Sequence, residues 1–324
     1  MISLNRFCIQ LVFCLYAEDS GLFKKRQFLD YLESLKDKYL PTEFKRSFER
    51  LFKRLDLKDL PELIDDILAK FPYVDGELFK DATLEIIDKI QNESNFDQIL
   101  RTLINASANF NWNSISPTIF GSILESIMNP ESKRSGGIHY TSPENIHKVI
   151  DPLFLDDLNS EFETCKDLEK FHDKIARLKF FDPACGSGNF LTETFISLRK
   201  LEDRIIEKIG GSIRVSIENF YGIEINDWAV QVAKLALWIS EHQMNGGDHF
   251  LPLKRNANII EGNSLSIDWK SVIPDADYIM GNPPYIGHQY RSKDQMVDMD
   301  RVFKDFPKYG KLDYVCAWFK KASE

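Results

Sequence analysis

The sequence has no long apolar run, no paired cysteines and no surplus of positive charge, and each absence narrows what it can be. Its most apolar early stretch, FCIQLVFCLYA from Phe7 to Ala17, falls well short of the roughly 20 residues needed to cross a bilayer. It then runs into the acidic turn AEDSG instead of a small-residue cleavage site. A buried first helix is expected, with no membrane partner and a cytoplasmic location. The five cysteines, Cys8, Cys14, Cys165, Cys185 and Cys316, form no CxxC pair, and the six histidines show no ligand spacing. Neither a disulfide framework nor a metal site is expected. With 41 Lys and Arg against 50 Asp and Glu, the net charge is -9, so any nucleic-acid contact must come from a local patch.

What is present centres on FDPACGSGNF, from Phe181 to Phe190. A short apolar entry from Leu178, an acidic turn, two glycines one residue apart and a helical run from Phe190 describe a strand, a glycine-cornered loop and a helix. An ordinary tight turn would look the same. YGIEIN at 221–226 and GNPPY at 281–285 supply the further signals that favour a cofactor loop. A chain of 324 residues with 43% hydrophobic content has room for about two domains.

The first part reads as helices. Phe28, Leu29, Leu32, Leu35 and Tyr39 keep helical spacing between Leu22 and Leu40, and Phe44, Phe48, Leu51, Phe52 and Leu55 form a second stripe. The interspersed Lys45, Arg46, Lys53 and Arg54 read as a solvated face. Short helices are expected from Pro61 to Lys70, Leu78 to Ile90 and Phe96 to Ser107, and Ser116-Pro117 caps another, IFGSILESIM. The polar loop NPESKRSGG at 129–137 marks the expected boundary, giving a helical spacer at 1–130 and a functional domain at 131–324. HYTSPENIHKVI at 139–150 opens a helix with Thr141 or Ser142 as cap and Pro143 in its first turn. Such a helix start suits a carboxylate.

The cofactor is read from what the glycine loop lacks. Leu191 stands where a dinucleotide fingerprint wants its third glycine, no acid follows at the expected distance of about 20 residues, and Gly-Lys-Ser/Thr is missing. What remains is a cofactor with an amino-acid end, a ribose and no phosphate, which describes S-adenosylmethionine. Glu224, ending the apolar stretch from Phe220, can accept both ribose hydroxyls, and Asp182 can hold the methionine ammonium. Amides near Gly186 and Gly188 can face the methionine end, where side chains would obstruct close approach. Asn263, in ANIIEGNSL, can satisfy the adenine edge with its amide.

In DYIMGNPPY the two prolines fix the backbone and remove two donors, leaving a rigid frame of acceptors. The Asn282 side-chain oxygen and the Pro283 carbonyl can each accept one N–H of a conjugated amino group, turning its lone pair towards a sulfonium methyl. With Pro284 completing the turn, Tyr285 offers a face on which a flipped base can stack.

IFGSILES, GIHYTSPENI, FDPACGSGNFL, YGIEIND, GNSL with Asp268-Trp269, GNPPYIG and GKLDYVCAWF together resemble the methyltransferase portion of MmeI-like restriction-modification polypeptides, and AEDSGLF and FPYVDG resemble that family's spacer. The resemblance implies a class I, Rossmann-like α/β methyltransferase fold with a mostly parallel sheet behind an all-α spacer. It also implies S-adenosylmethionine as donor and adenine N6 in double-stranded DNA as acceptor. Thr141, Asp182, Gly186, Gly188, Glu224 and Asn263 match the family's cofactor positions, and Asn282 to Tyr285 its catalytic motif. Tyr140, Pro183, Ala184, Asn189, Phe190, Ile225 and Ser264 complete the candidate cofactor set.

Two departures bear on this. No nuclease domain precedes the spacer, and four strand candidates are visible where the family fold has seven. A crossover unit takes roughly 30 residues, so the stretch from Tyr285 to Glu324 is too short for more strands and a recognition domain. The expectation is therefore an incomplete sheet in a fragment. A release-factor-type protein glutamine methyltransferase shares the NPPY layout and is the alternative enzyme. A non-catalytic assembly piece is the alternative of another class.

Overall fold

The computed structural model describes residues 2–36, 41–59, 65–74, 78–80, 93–118, 141–246 and 257–324. Its contacts divide the chain into two compact units, Met1–Ser116 with Asn245–Lys254, and Pro117–Met244 with Arg255–Glu324. The boundary expected near residue 130 lies outside the described residues.

The first unit is helical. Helix α1 (Ile2–Asp19) contains the apolar run and buries Phe13, Cys14, Tyr16 and Ala17 completely. Helix α2 (Gln27–Glu33) starts later than the expected range from Leu22, because Arg26 takes a left-handed conformation at φ 62 and the chain turns before it. Glu18 is buried, and its carboxylate accepts the Phe28 and Leu29 amides at 2.7 and 3.2 Å and the Ser107 hydroxyl at 2.7 Å. It thereby supplies the acceptor that Arg26 does not. Helix α3 (Pro41–Asp56) buries Phe44, Phe48, Leu51, Phe52 and Leu55 as its spacing requires. Arg54, however, leaves the solvated face, being 6% exposed with Nη1 donating to the Leu57 carbonyl. Helices α4 (Asp66–Ala69) and α5 (Glu93–Asn109) follow among the described residues, with Phe71 edge-on to Phe23 at 5.2 Å. The expected helices around 78–90 and 119–128 fall mostly outside the described residues.

The second unit is α/β. Helix α6 (Pro143–Ile150) passes through one π turn at 151–155 into α7 (Asp156–Thr164), and α8 (Leu168–Arg177) leads into strand β1 (Phe180–Asp182). There follow α9 (Asn189–Ile209), β2 (Phe220–Glu224), α10 (Asp227–Met244), β3 (Asn258–Glu261), α11 (Trp269–Val272), β4 (Tyr278–Ile279), α12 (Lys293–Val302) and α13 (Cys316–Ala322). The strands lie in the order β3-β2-β1-β4, and each pairing is parallel. Parallel strands need covered faces, and the side chains alternate accordingly. Phe180 and Phe220 stack at 5.3 Å in a core with α8, α9 and α10, while Phe181 and Ile223 enter the opposite core with Trp269, Tyr314 and Trp318. Burying each such ring contributes roughly 1.5–3 kcal/mol.

The chain moves outward from β1 to β2 and β3, then returns to pair β4 on the other side of β1. The reversal lies between β1 and β4, and ligands bind beyond the carboxyl ends of strands at such a point. Strands β1 and β2 end at Asp182 and Glu224 as expected, whereas β3 stops two residues before Asn263 and β4 three before Asn282. Both asparagines therefore sit on loops past the strand ends.

Candidate active site

A cavity of about 280 Å³ opens at that switch point. Register sets its floor: Asp182 pairs with Gly222, so Glu224, two residues further on, projects from the same face about 7 Å along the strand. The loop between β1 and α9 closes over both. Cys185 N–H donates to the Ile223 carbonyl at 3.1 Å, and Gly186 N–H donates to Glu224 Oε2 at 2.9 Å. Glu224 Oε1 accepts the backbone and side-chain N–H of Asn226 at 2.9 and 3.0 Å. Three of its roughly four lone-pair sites are thus filled. Accepting two further hydroxyls would require Asn226 to yield one bond.

The two carboxylates are desolvated. Burial pushes Asp182 up to about 7, against the lowering bond from Ala184 N–H at 3.0 Å and with the Glu224 charge adding to the rise. Burial likewise raises Glu224, opposed by its bonds to Asn226 and Gly186.

The two loop glycines differ in function. Gly186, at φ +53, has open space where a Cβ would point, so it is required by conformation. At Gly188, φ +79, a Cβ would lie 2.8 Å from Ala233 Cβ. That glycine admits α10 against the start of α9, and the expected obstruction of a ligand is not its reason. Gly281 was not singled out from sequence, yet a Cβ there would meet Asp182 Oδ1 at 2.3 Å. The glycine of GNPPY lets its loop back directly onto the Asp182 carboxylate.

Most expected site residues line this one cavity. Thr141, Asp182, Pro183, Ala184, Gly186, Asn189 and Phe190 do so from the first half, and Glu224, Ile225, Asn263, Ser264, Asn282 and Pro284 from the second. Gly188, Pro283 and Tyr285 are not in the lining, and Tyr140 lies outside the described residues. Tyr285 is 70% exposed, so its ring remains available for stacking. Ser142, not Thr141, occupies the cap of α6, and it makes no side-chain cap bond there.

Asn263 reaches the cavity with its amide partly committed. Its Nδ2 donates to both oxygens of Asp298 at 2.9 and 3.0 Å, and its Oδ1 accepts Leu265 N–H at 2.9 Å. Part of that amide is therefore taken, and one Oδ1 lone pair with the N–H not aimed at Asp298 remains for the expected adenine-edge role. Asp298 also accepts Arg301 Nη1 at 2.9 Å and the Tyr314 hydroxyl at 2.8 Å. Asp298, Tyr314 and Trp318 line the cavity too. Sequence reasoning missed them; the Asp298 and Arg301 pair at i,i+3 and the aromatics of KLDYVCAWF were the available signals.

The helix that follows HYTSP is tied to the glycine-loop helix. His147 Nδ1 lies 2.6 Å from Asp151 Oδ1 and Nε2 lies 3.2 Å from Glu193 Oε1 on α9. Burial acts to lower the imidazole pKa, but the two carboxylates outweigh it and raise it.

A doubly covered parallel sheet with this site at its switch point has the class I methyltransferase fold behind a helical spacer. The chain belongs to the MmeI family of DNA methyltransferases. The model described as "MmeI, DNA-methyltransferase domain" matches residues 158–324, and "MmeI, helicase spacer domain" matches 2–79. The chain is 37% identical over 340 aligned positions to "DNA methyltransferase A" of Bacillus subtilis (strain 168), covering 98% of this chain and 38% of that protein. A 71-residue segment is 31% identical to "Adenine-specific methyltransferase PglX" of Streptomyces coelicolor, covering 21% of this chain and 6% of that one. Among solved structures, the type IIL restriction-modification enzyme MmeI in complex with DNA superposes with a TM-score of 0.84 at 36% identity, over 99% of this chain and 45% of its own. The chain thus spans less than half of these longer relatives.

Proposed function

We propose that this chain carries the catalytic core of a site-specific DNA adenine-N6 methyltransferase of a restriction-modification system, with S-adenosylmethionine as methyl donor. One observation carries the reading: a single cavity joins the acidic floor of the glycine loop to the Asn-Pro-Pro turn, and among the described residues no lysine, arginine or histidine lines it. Asp182, Glu224, Asp294 and Asp298 give it four carboxylates. Such a cavity favours a cation and repels phosphate, which suits a donor bearing a sulfonium and an ammonium and weighs against NAD or ATP. Asn189 Oδ1, buried on the wall without a hydrogen-bond partner among the described residues, is a further acceptor for an ammonium.

When bound, the donor supplies an electrophilic methyl group. The chain's own contribution is to hold the amine. Asn282 Oδ1 can accept one N–H of adenine N6, which draws the nitrogen out of conjugation and aims its lone pair. Tyr285 can stack against the extruded base, offsetting part of the few kcal/mol that flipping costs. DNA as partner is supported by the family and by the DNA complex of MmeI, which weigh against release factor as substrate. The five free thiols suit a reducing cytoplasm.

Asn282→Ala is expected to lower the methyl-transfer rate roughly 10²- to 10³-fold, the usual loss for one preorganised polar partner, with donor affinity retained. Rates are to be followed as tritium incorporation into DNA, with release factor as the competing acceptor. Transfer to release factor and none to DNA would reverse the substrate assignment.

A further inference from the structure

The side-chain amide of Asn282 has one hydrogen-bonding partner among the described residues, and it comes from the other end of the unit: Nδ2 donates to Thr141 Oγ1 at 3.3 Å. Both partners are fixed. Met280 N–H donates to the Phe181 carbonyl at 2.9 Å, Gly281 backs onto Asp182, and two prolines follow Asn282. Thr141 lies one residue before the Ser142 cap of α6, whose Ile146 and Ile150 are fully buried and whose His147 is bonded to Asp151 and Glu193.

An asparagine amide is nearly symmetric in shape but not in chemistry. Turned by 180°, it presents a donor where it had an acceptor. An amine substrate requires the oxygen, since two donors facing each other repel. A threonine hydroxyl has a single proton. If that proton is given to an anion, the hydroxyl can meet Asn282 only as an acceptor, and Nδ2 must turn towards it.

We propose that Thr141 is a positioning residue that sets which end of the Asn282 amide faces the reacting amine, and that a carboxylate taking the Thr141 proton locks the productive orientation. The carboxylate of an amino-acid-bearing donor is the anion that would do so in this cavity. The inference rests on the reading of Asn282 as the amine-binding residue. It goes beyond it by making donor occupancy a condition of catalytic geometry, through a residue that touches the donor and the amine-binding amide at once.

The test uses the 324-residue chain labelled with ¹⁵N at asparagine, its Asn282 amide signals being assigned by their loss in Asn282→Ala. S-adenosylmethionine is expected to slow exchange of one Asn282 amide proton at least about threefold, as a hydrogen bond of one defined sense should. That response disappears in Thr141→Val and survives in Thr141→Ser. In steady-state DNA methylation at saturating donor, Thr141→Val is expected to lower kcat at least about tenfold, in addition to any loss of calorimetric donor affinity, with Thr141→Ser near wild type. Loss of donor affinity in step with kcat/KM at unchanged kcat would make Thr141 a plain donor contact and overturn the proposal. So would an Asn282 signal indifferent to Thr141→Val. Failure of the functional reading itself looks different, because Asn282→Ala would then methylate normally whatever is done to Thr141.

Discussion

Gly281 and Asp182 illustrate how closely single side chains are matched in this site. Because a Cβ at Gly281 would meet Asp182 Oδ1 at 2.3 Å and φ there is +153, Gly281→Ala must displace either the carboxylate or the catalytic loop. Donor affinity is expected to fall at least about tenfold, equivalent to 1.4 kcal/mol, and titration calorimetry reads it directly; an unchanged affinity would mean that the loop yields without cost. Asp182 makes a pH prediction. Its native carboxyl is raised to about 7 from an ordinary value near 4, so the native state holds the proton more tightly than the unfolded chain. Stability is then greatest below the unfolded value and is lost as pH rises through 7. Asp182→Asn, which keeps the acceptor for Ala184 N–H, should raise the ligand-free protein's stability at pH 8 by about 1–4 kcal/mol and do little at pH 4. Thermal melts of both proteins across pH 4–8 check the difference, and parallel curves would refute it. Asp182, Glu224 and Asn282 were legible as residues of one cavity because each lies within a recognisable short motif. The commitment of Asn263 was not, because its partner Asp298 is 35 positions away and only the fold brings them together.

Helices and strands were legible where periodicity and turn chemistry agree. The stripe from Phe44 to Leu55 became α3, and the apolar entry to the glycine loop became β1. Prediction failed where one backbone conformation overrode a pattern, as at Arg26, or where a polar residue was buried by a partner distant in sequence, as with Glu18. Helices α8 and α9 carry the largest case. Glu202 is fully buried and accepts from His172 Nε2 at 2.6 Å, the Arg214 and Val215 amides at 2.6 and 3.0 Å, and Arg199, itself 1% exposed. Removing a partner from such a cluster leaves a charge buried alone, which costs more than the intact pair contributes. Glu202→Ala should therefore destabilise the second unit by roughly 3–5 kcal/mol, seen as a lower urea midpoint. Since Glu202 does not line the cavity, donor affinity below the transition should be unaffected. A loss under about 1 kcal/mol would show that Arg199 finds other partners.

Charge and composition constrain how the chain as a unit can meet DNA. A net charge of -9 repels a duplex, and contact with phosphates must rest on local cations, such as Arg291 and Lys293 after the GNPPY loop, of which Arg291 already donates Nη2 to the Gly310 carbonyl. Exposed rings at Tyr285 and Tyr290, 70% and 83% accessible, supply stacking surface but no long-range attraction. Affinity for mixed-sequence duplex should accordingly be weak, with a Kd above roughly 10⁻⁵ M near 0.1 M salt, and each phosphate neutralised steepens the salt slope by about 0.9. With about two or three contacts from lysine and arginine the slope of log K against log salt should not exceed about -3 in size. Donor binding inside the cavity should change far less with salt, since buried charges are poorly screened. Fluorescence anisotropy of a labelled duplex and calorimetry of S-adenosylmethionine, run over the same salt series on the 324-residue chain, separate the two behaviours. Nanomolar duplex binding with a slope near -6 would show a basic footprint that these cations do not provide. Weak duplex binding beside salt-tolerant donor binding would fit a catalytic core whose affinity for DNA depends on contacts other than its own.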